Sequence, residues 1–149
     1  MQTATATQNY SVTMNRTLNA PKQAVYDAWT QQEALISWFK ASPDMETIIN
    51  EFNLKIGGKY HFEMREPDGT PHVMYGEYVS LTPYDQLVFT WKWETDELNV
   101  DSLVTINLTE VDGQTEMTLV HEKFDSQEVA DMHNEGWTGC LAQLESFFQ

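Results

Sequence analysis

The side chains best suited to acid–base work are two histidines, His121 and His133, together with Arg16. His121 ends the alternation Met117, Leu119, His121, and His133 lies on the apolar face of a C-terminal helical pattern. If that helix crosses the last strand, both imidazoles enter one cavity, where they could orient a ligand or transfer a proton. The commoner role for such residues is a hydrogen-bonded core or rim histidine. Two histidines without a third ligand make a poor metal site, so neither metal nor cofactor is expected. His61 falls on the polar phase of its strand and His72 begins one, so both are expected to face solvent. Arg16 interrupts an apolar phase. It could anchor a ligand carboxylate, although snorkelling at a strand end or pairing with an acid is the more ordinary outcome. Glu122 and Glu135 are the nearest acidic candidates by sequence. No nucleophile elbow, phosphate loop, dinucleotide fingerprint or zincin motif is present. Glu94, Asp96, Glu97 and Asp101 have no calcium-loop spacing and read as a solvated acidic loop.

Aromatic residues give the strongest local signal. Trp29, Trp38, Tyr60, Phe62, Phe89, Trp91, Trp93 and Trp137 are expected to line the interior between helix and sheet, partly as core and partly as pocket wall. Trp91 and Trp137 are the best candidates for the wall. Met64, Leu119, His121, Met132, His133, Gly136, Cys140 and Leu141 complete the candidate cavity. Gly136 and Gly139 sit inside the helical pattern, where each costs about 1 kcal/mol relative to alanine. Gly136 is on the inner face, so close approach of another element or space for a ligand would offset that cost.

The elements that must position these groups follow from periodicity. Tyr10, Val12, Met14 and Leu18 alternate with polar residues, as in a half-buried strand. Ala20-Pro21 opens a helix, with Asn19 as its expected N-cap. A short second helix spans about 32–39, and Pro43 ends that region. From Thr47 to Glu122 the pattern is antiparallel sheet. Ile48, Phe52, Leu54 and Ile56 share one face, and Gly57-Gly58 is read as a hairpin turn. Tyr60, Phe62 and Met64 share the next face, and Pro67-Asp68-Gly69 turns the chain. Gly76 marks a bulge or a close backbone approach. Leu87, Phe89, Trp91 and Trp93 form one alternation, and Val100, Val104, Ile106 and Leu108 another, before the turn at Asp112-Gly113. This makes one strand plus six in a meander. Val129, Met132, His133, Gly136, Trp137, Cys140, Leu141, Leu144 and Phe148 then trace one face of a long helix. Asp125 and Glu128 have the spacing of a capping box. Sheet and helix must bury their apolar faces on each other, which predicts an α+β domain with a curved sheet around the helix and a cavity between them.

Composition narrows the function classes. The chain has 149 residues, 41% hydrophobic, which fits one folded domain over 10–149 behind a flexible tail at 1–9. Its 8 basic against 23 acidic residues give a net charge of −15. Such a balance argues against nucleic acid and anionic membranes as partners. Residues 1–75 carry 6 basic and 8 acidic groups, whereas residues 76–149 carry 2 and 15. A well-solvated surface explains that asymmetry most simply, and an acidic face steering a basic partner or cation is the sharper reading. Cys140 is a lone cysteine, without a partner for an internal disulfide. The N-terminus lacks a basic and an apolar region of secretory type, and a cytoplasmic location is expected.

The run Ala20-Pro21-x-x-Ala24-Val25-Tyr26-x-Ala28-Trp29-Thr30, followed by Trp38, resembles the opening of the START-related, Bet v 1-like (SRPBCC) superfamily. Ile56-Gly57-Gly58-Lys59-Tyr60-x-Phe62, Gly76-Glu77-Tyr78, Leu87-Val88-Phe89-Thr90-Trp91 and Gly136-Trp137 sharpen the likeness to one branch. That branch is named for the C-terminal domain of the activator of heat-shock protein 90 ATPase homologue. The resemblance runs from about Tyr10 to Phe148 and implies a helix-grip fold, with about seven strands around the C-terminal helix and two short helices after the first strand. The superfamily includes lipid and hormone binders, polyketide cyclases and many small bacterial proteins. The leading expectation is a soluble protein binding a hydrophobic or aromatic small molecule, favoured over an enzyme. The alternatives are a cyclase or hydrolase using His121, His133 or Arg16 in the same cavity, and a co-chaperone-like module with a protein partner. A monomer or a homodimer is compatible with all three.

Overall fold

The computed structural model describes residues 10–95 and 101–149. Strand β1 (Tyr10–Leu18) leads into helices α1 (Lys22–Thr30) and α2 (Gln32–Trp38). Six strands follow: β2 (Glu46–Phe52), β3 (Lys59–Arg65), β4 (Pro71–Thr82), β5 (Gln86–Trp93), β6 (Ser102–Val111) and β7 (Gln114–Phe124). Helix α3 (Gln127–Phe147) closes the chain. The strands form one antiparallel sheet in the order β1-β7-β6-β5-β4-β3-β2. The meander expected from the alternation is therefore present, and β1 completes it beside β7. The sheet curves around α3 in a helix-grip arrangement, and α3 packs on β1, β7 and α2.

The core lies between the sheet's concave face and the helices. Leu87, Phe89 and Trp91 of β5 point into it, as do Val104 and Ile106 of β6, Met117 and Leu119 of β7, and Cys140, Leu141 and Leu144 of α3. At the β6–β7 turn, Asp112 and Gly113 both adopt left-handed conformations (φ 53° and 79°), the pairing that suits a two-residue hairpin in a right-twisted sheet.

Several local expectations are corrected. Asn19 does not cap α1. The Ala20 N–H bonds back to the Leu18 carbonyl at 2.9 Å, which leaves Asn19 outside the helix, and Pro21 occupies the cap position without a side-chain bond. The Asp125/Glu128 pair does not cap α3 either. Ser126, in extended conformation, accepts the Val129 N–H on its side chain at 3.2 Å, one residue later than the capping-box reading.

β2 ends at Phe52, so Leu54 and Ile56 do not extend its face; Ile56 is 68% exposed. A register shift between Ile49 and Glu51 switches the phase, putting Thr47, Ile49 and Phe52 inward instead of Ile48. Gly57-Gly58 belongs to a longer loop over 53–58, not a two-residue turn. That loop is fastened to β4 by Gly57 N–H to Tyr78 O (2.8 Å) and Tyr78 N–H to Gly58 O (2.9 Å). Gly76 marks close backbone approach: a Cβ there would sit 2.1 Å from the Thr90 carbonyl oxygen. The Tyr60 hydroxyl donates to that oxygen at 2.6 Å. The irregularity in β4 lies further on, between Tyr78 and Ser80.

Val100 of the expected β6 alternation lies outside the described residues, as do Asp96, Glu97 and the 1–9 tail. Among the described residues, no helix is long and apolar enough to cross a membrane.

Candidate functional site

Between the first half of α3 and the β3–β5 side of the sheet lies a cleft of about 690 Å³, open to solvent. Its floor and walls combine Met64, Trp91, Trp93, Met132, His133, Gly136, Trp137 and Cys140 with Ala41, Met45 and Val73. Pro71, His72, Glu94 and Thr95 complete the lining. The volume suits a drug-sized ligand. Each element brings its residues here for a local reason. Period two in β5 sends Trp91 and Trp93 to the same face, and three-four spacing in α3 aligns Met132, His133, Gly136, Trp137 and Cys140.

The two glycines of α3 serve different ends. A Cβ on Gly136 would meet nothing within 4 Å, so this position opens the cleft. A Cβ on Gly139 would lie 2.0 Å from the Ala41 carbonyl oxygen, so this position lets the chain after α2 approach the helix backbone.

Both candidate histidines are held by tryptophans. Trp137 Nε1–H donates to His121 Nδ1 at 3.0 Å. Because an indole nitrogen can only donate, His121 must carry its proton on Nε2, which bonds Ser102 Oγ at 2.8 Å. Ser102 Oγ in turn donates to the Trp91 carbonyl at 2.9 Å. In the same manner, Trp93 Nε1–H donates to His133 Nε2 at 2.8 Å, and His133 Nδ1–H reaches the Val129 carbonyl at 2.8 Å. Phe124 stands beside both rings, with centroids 4.4 Å from each. His121 is wholly buried within the core, whereas His133 forms part of the cleft wall.

Burial disfavours the imidazolium at both positions, and His133 adds a further lowering at His121. His121 is held well below its ordinary range and His133 below it. Both folded values lie under the 6.5 of a free histidine, so in the interval between them the unfolded chain binds more protons. Stability from these sites is therefore complete above about pH 6.5 and is lost as pH falls below it, with a slope of up to about 1.4 kcal/mol per pH unit for each histidine. Urea midpoints should drop between pH 7.5 and pH 5.5, and the drop should be shallower in His133→Gln. A midpoint flat over this range would contradict the assignment.

The remaining expected site residues lie elsewhere. Trp29, Tyr60, Phe62 and Phe89 pack into the core around a crevice of about 10 Å³, too small for a ligand. Trp38 is core, with its indole N–H on the Ala28 carbonyl at 2.8 Å, and Leu119 and Leu141 are fully buried. Arg16 is not brought to the histidines. Its Nε lies 3.7 Å from Glu145 Oε1, so Glu145 is its acidic neighbour instead of Glu122 or Glu135. His61 and His72 are partly exposed and face carboxylates, Glu94 and Glu66, each at 2.6 Å. Among the described residues, no group of three or more His, Cys, Asp or Glu side chains could hold a metal ion. Cys140 is buried against the cleft, its thiol pushed up to about 12 by desolvation, which leaves it unreactive as a thiolate.

Seven lining residues were not among the expected cleft residues. Ala41 and Met45 arrive from the loop after α2. Pro71, His72 and Val73 open β4, and Glu94 and Thr95 follow β5. Of these, His72 and Val73 lay on an expected strand and Glu94 in an expected acidic loop, without pointing to a cleft.

Comparison with known proteins places the chain. A search of curated proteins finds no match. Among solved structures, a protein from Chromobacterium violaceum superimposes with a TM-score of 0.84 at 24% identity, over 93% of this chain and 96% of that one. The AHSA1 protein from Silicibacter pomeroyi gives a TM-score of 0.79 at 20% identity, over 92% and 96%. A Staphylococcus epidermidis protein solved by NMR gives 0.76 at 25% identity, over 93% and 88%. These likenesses establish the fold. The model for the family described as Activator of Hsp90 ATPase homolog 1-like protein matches residues 19–149, from just before α1 to the last residue, and the chain belongs to that family.

Proposed function

We propose that this chain is a small-molecule binding protein whose cleft under α3 holds a hydrophobic or aromatic ligand. The observation that carries this reading is the composition of the cleft. Three tryptophans, three methionines, a buried cysteine and a glycine are among the residues that surround about 690 Å³ of space. A binding role also accounts for Gly136, a helix-weakening residue on the cleft wall where a side chain would enter open space. The histidines support binding over proton transfer. Each has both ring nitrogens engaged within the protein, and burial keeps each neutral.

The neutral dye N-phenyl-1-naphthylamine tests the proposal. Wild-type protein should give a saturable, one-site rise in dye fluorescence. Gly136→Leu should abolish it while keeping or raising the melting temperature, since leucine favours the helix and grows into empty space. Absence of saturable binding by wild type, or equal binding by both proteins, would overturn the reading.

A further inference from the structure

Among the described residues, the cleft holds a carboxylate and no lysine or arginine, and on the reading that it binds a small molecule this bears on the ligand's head group. Two of the cleft's three indole N–H groups are spent, Trp93 on His133 and Trp137 on His121, and the third, on Trp91, is sealed from solvent. The His133 Nδ1–H is spent on Val129. An anionic ligand would thus enter a site with no opposing charge and few free donors, at a desolvation cost nothing repays.

A cation would meet the opposite conditions. The Trp91 and Trp93 rings meet edge to face at 79° with centroids 5.6 Å apart, and both line the cleft, so its wall here is aromatic on two planes. Indole faces attract ammonium groups. Glu94, adjoining Trp93 in sequence, lines the same cleft and supplies a carboxylate. That carboxylate is positioned from the side: Asn50 Nδ2 donates to His61 Nδ1 at 3.1 Å, which leaves the His61 Nε2–H to donate to Glu94 Oε2 at 2.6 Å. The His61 contact thereby orients the Glu94 carboxylate. His72, which also lines the cleft, has its Nε2 engaged by the Glu66 carboxylate at 2.6 Å, a second acidic group beside the site. The surrounding field has the same sign, because residues 76–149 hold 15 acidic and 2 basic groups.

We propose that the cleft selects ligands with an aromatic or apolar body and an ammonium head, the head resting on the Trp91–Trp93 wall with Glu94 as its counter-ion. The test is displacement of N-phenyl-1-naphthylamine at pH 8 and low salt by three ligands of one shape: 1-naphthylmethylammonium, 1-naphthylmethanol and 1-naphthoate. The ammonium should bind roughly tenfold or more tighter than the alcohol, and the carboxylate weakest. Glu94→Gln should collapse the ammonium-to-alcohol ratio towards one. Glu145→Gln, the same charge change at a position on α3 away from the cleft, should preserve it. Equal affinities for ammonium and alcohol, a preference for naphthoate, or a ratio lowered equally by both variants would overturn the head-group assignment with the cleft intact as a binding site. Failure of the dye itself to bind would instead remove the small-molecule reading beneath it.

Discussion

Trp137→Ala is expected to lower stability by about 3–5 kcal/mol, as for other large-to-small changes at buried aromatic positions. Trp137 is 3% exposed and stands where the cleft wall meets the core. Its ring lies 5.2 Å from Trp91 and 6.1 Å from both Trp29 and Phe39, centroid to centroid. Truncation removes these contacts and also the indole donor to His121 Nδ1, leaving a buried acceptor unpaired at a further cost of about 1–3 kcal/mol. Some of that loss is recovered if the cleft relaxes into the vacated space. Trp137→Phe goes part of the way towards separating the two parts, because it removes the donor and the indole's second ring but keeps an aromatic ring in the site. Urea unfolding should rank wild type above Trp137→Phe and Trp137→Phe above Trp137→Ala. A loss below about 1 kcal/mol for the alanine variant, within the range of ordinary surface changes, would show that this junction does not support the fold.

The second large effect is a change of sign between two glycines three residues apart on α3. Helix propensity alone favours alanine by about 1 kcal/mol at both positions. Gly136→Ala should realise that gain, because its Cβ meets open space. Gly139→Ala should be destabilising by about 1–3 kcal/mol, the usual cost of overpacking, because its Cβ would lie 2.0 Å from a backbone oxygen that cannot rotate aside. The displaced segment carries Ala41, itself a cleft residue, so this variant should also weaken dye binding. Thermal denaturation of the two variants beside wild type decides the matter. A shift of the same sign in both would mean that the approach of Ala41 to α3 is wrongly placed.

How much of this was legible in the sequence depended on the range of the interaction. Period-two alternation in β5, β6 and β7 and the three-four spacing of α3 are local signals, and they gave the strands, their meander and the helix face. Half of the expected cleft residues do meet at the cleft: Met64, Trp91, Trp93, Met132, His133, Gly136, Trp137 and Cys140. The others are buried in the same apolar layer, because alternation reports which way a side chain faces and not whether space lies in front of it. Phe89 and Trp91 share one phase of β5, yet only Trp91 reaches the cleft.

The inward phase of β2 was misread because the irregularity at Asn50 leaves no mark on periodicity. The Trp93–His133 and Trp137–His121 bonds join residues far apart in the chain, and nothing in their spacing announces them. Gly139 did carry a signal, a glycine inside a helix, but its partner Ala41 lay in a loop with no pattern at all. The contribution of Glu94 was hidden in the same way: it read as one member of an acidic loop until β3 placed His61 against it.

The central claim, a ligand seated between α3 and β5, is tested most directly by recording ¹H–¹⁵N spectra of the protein while 1-naphthylmethanol is added. Five tryptophan indole signals report from known places. Binding in the cleft should shift the Trp93 indole and the backbone amides of Met132 and Gly136 along one saturable curve, while the Trp38 indole, bonded to the Ala28 carbonyl in the core, stays fixed. Shifts gathered on other elements, or no saturable shift at Trp93, Met132 and Gly136, would contradict it.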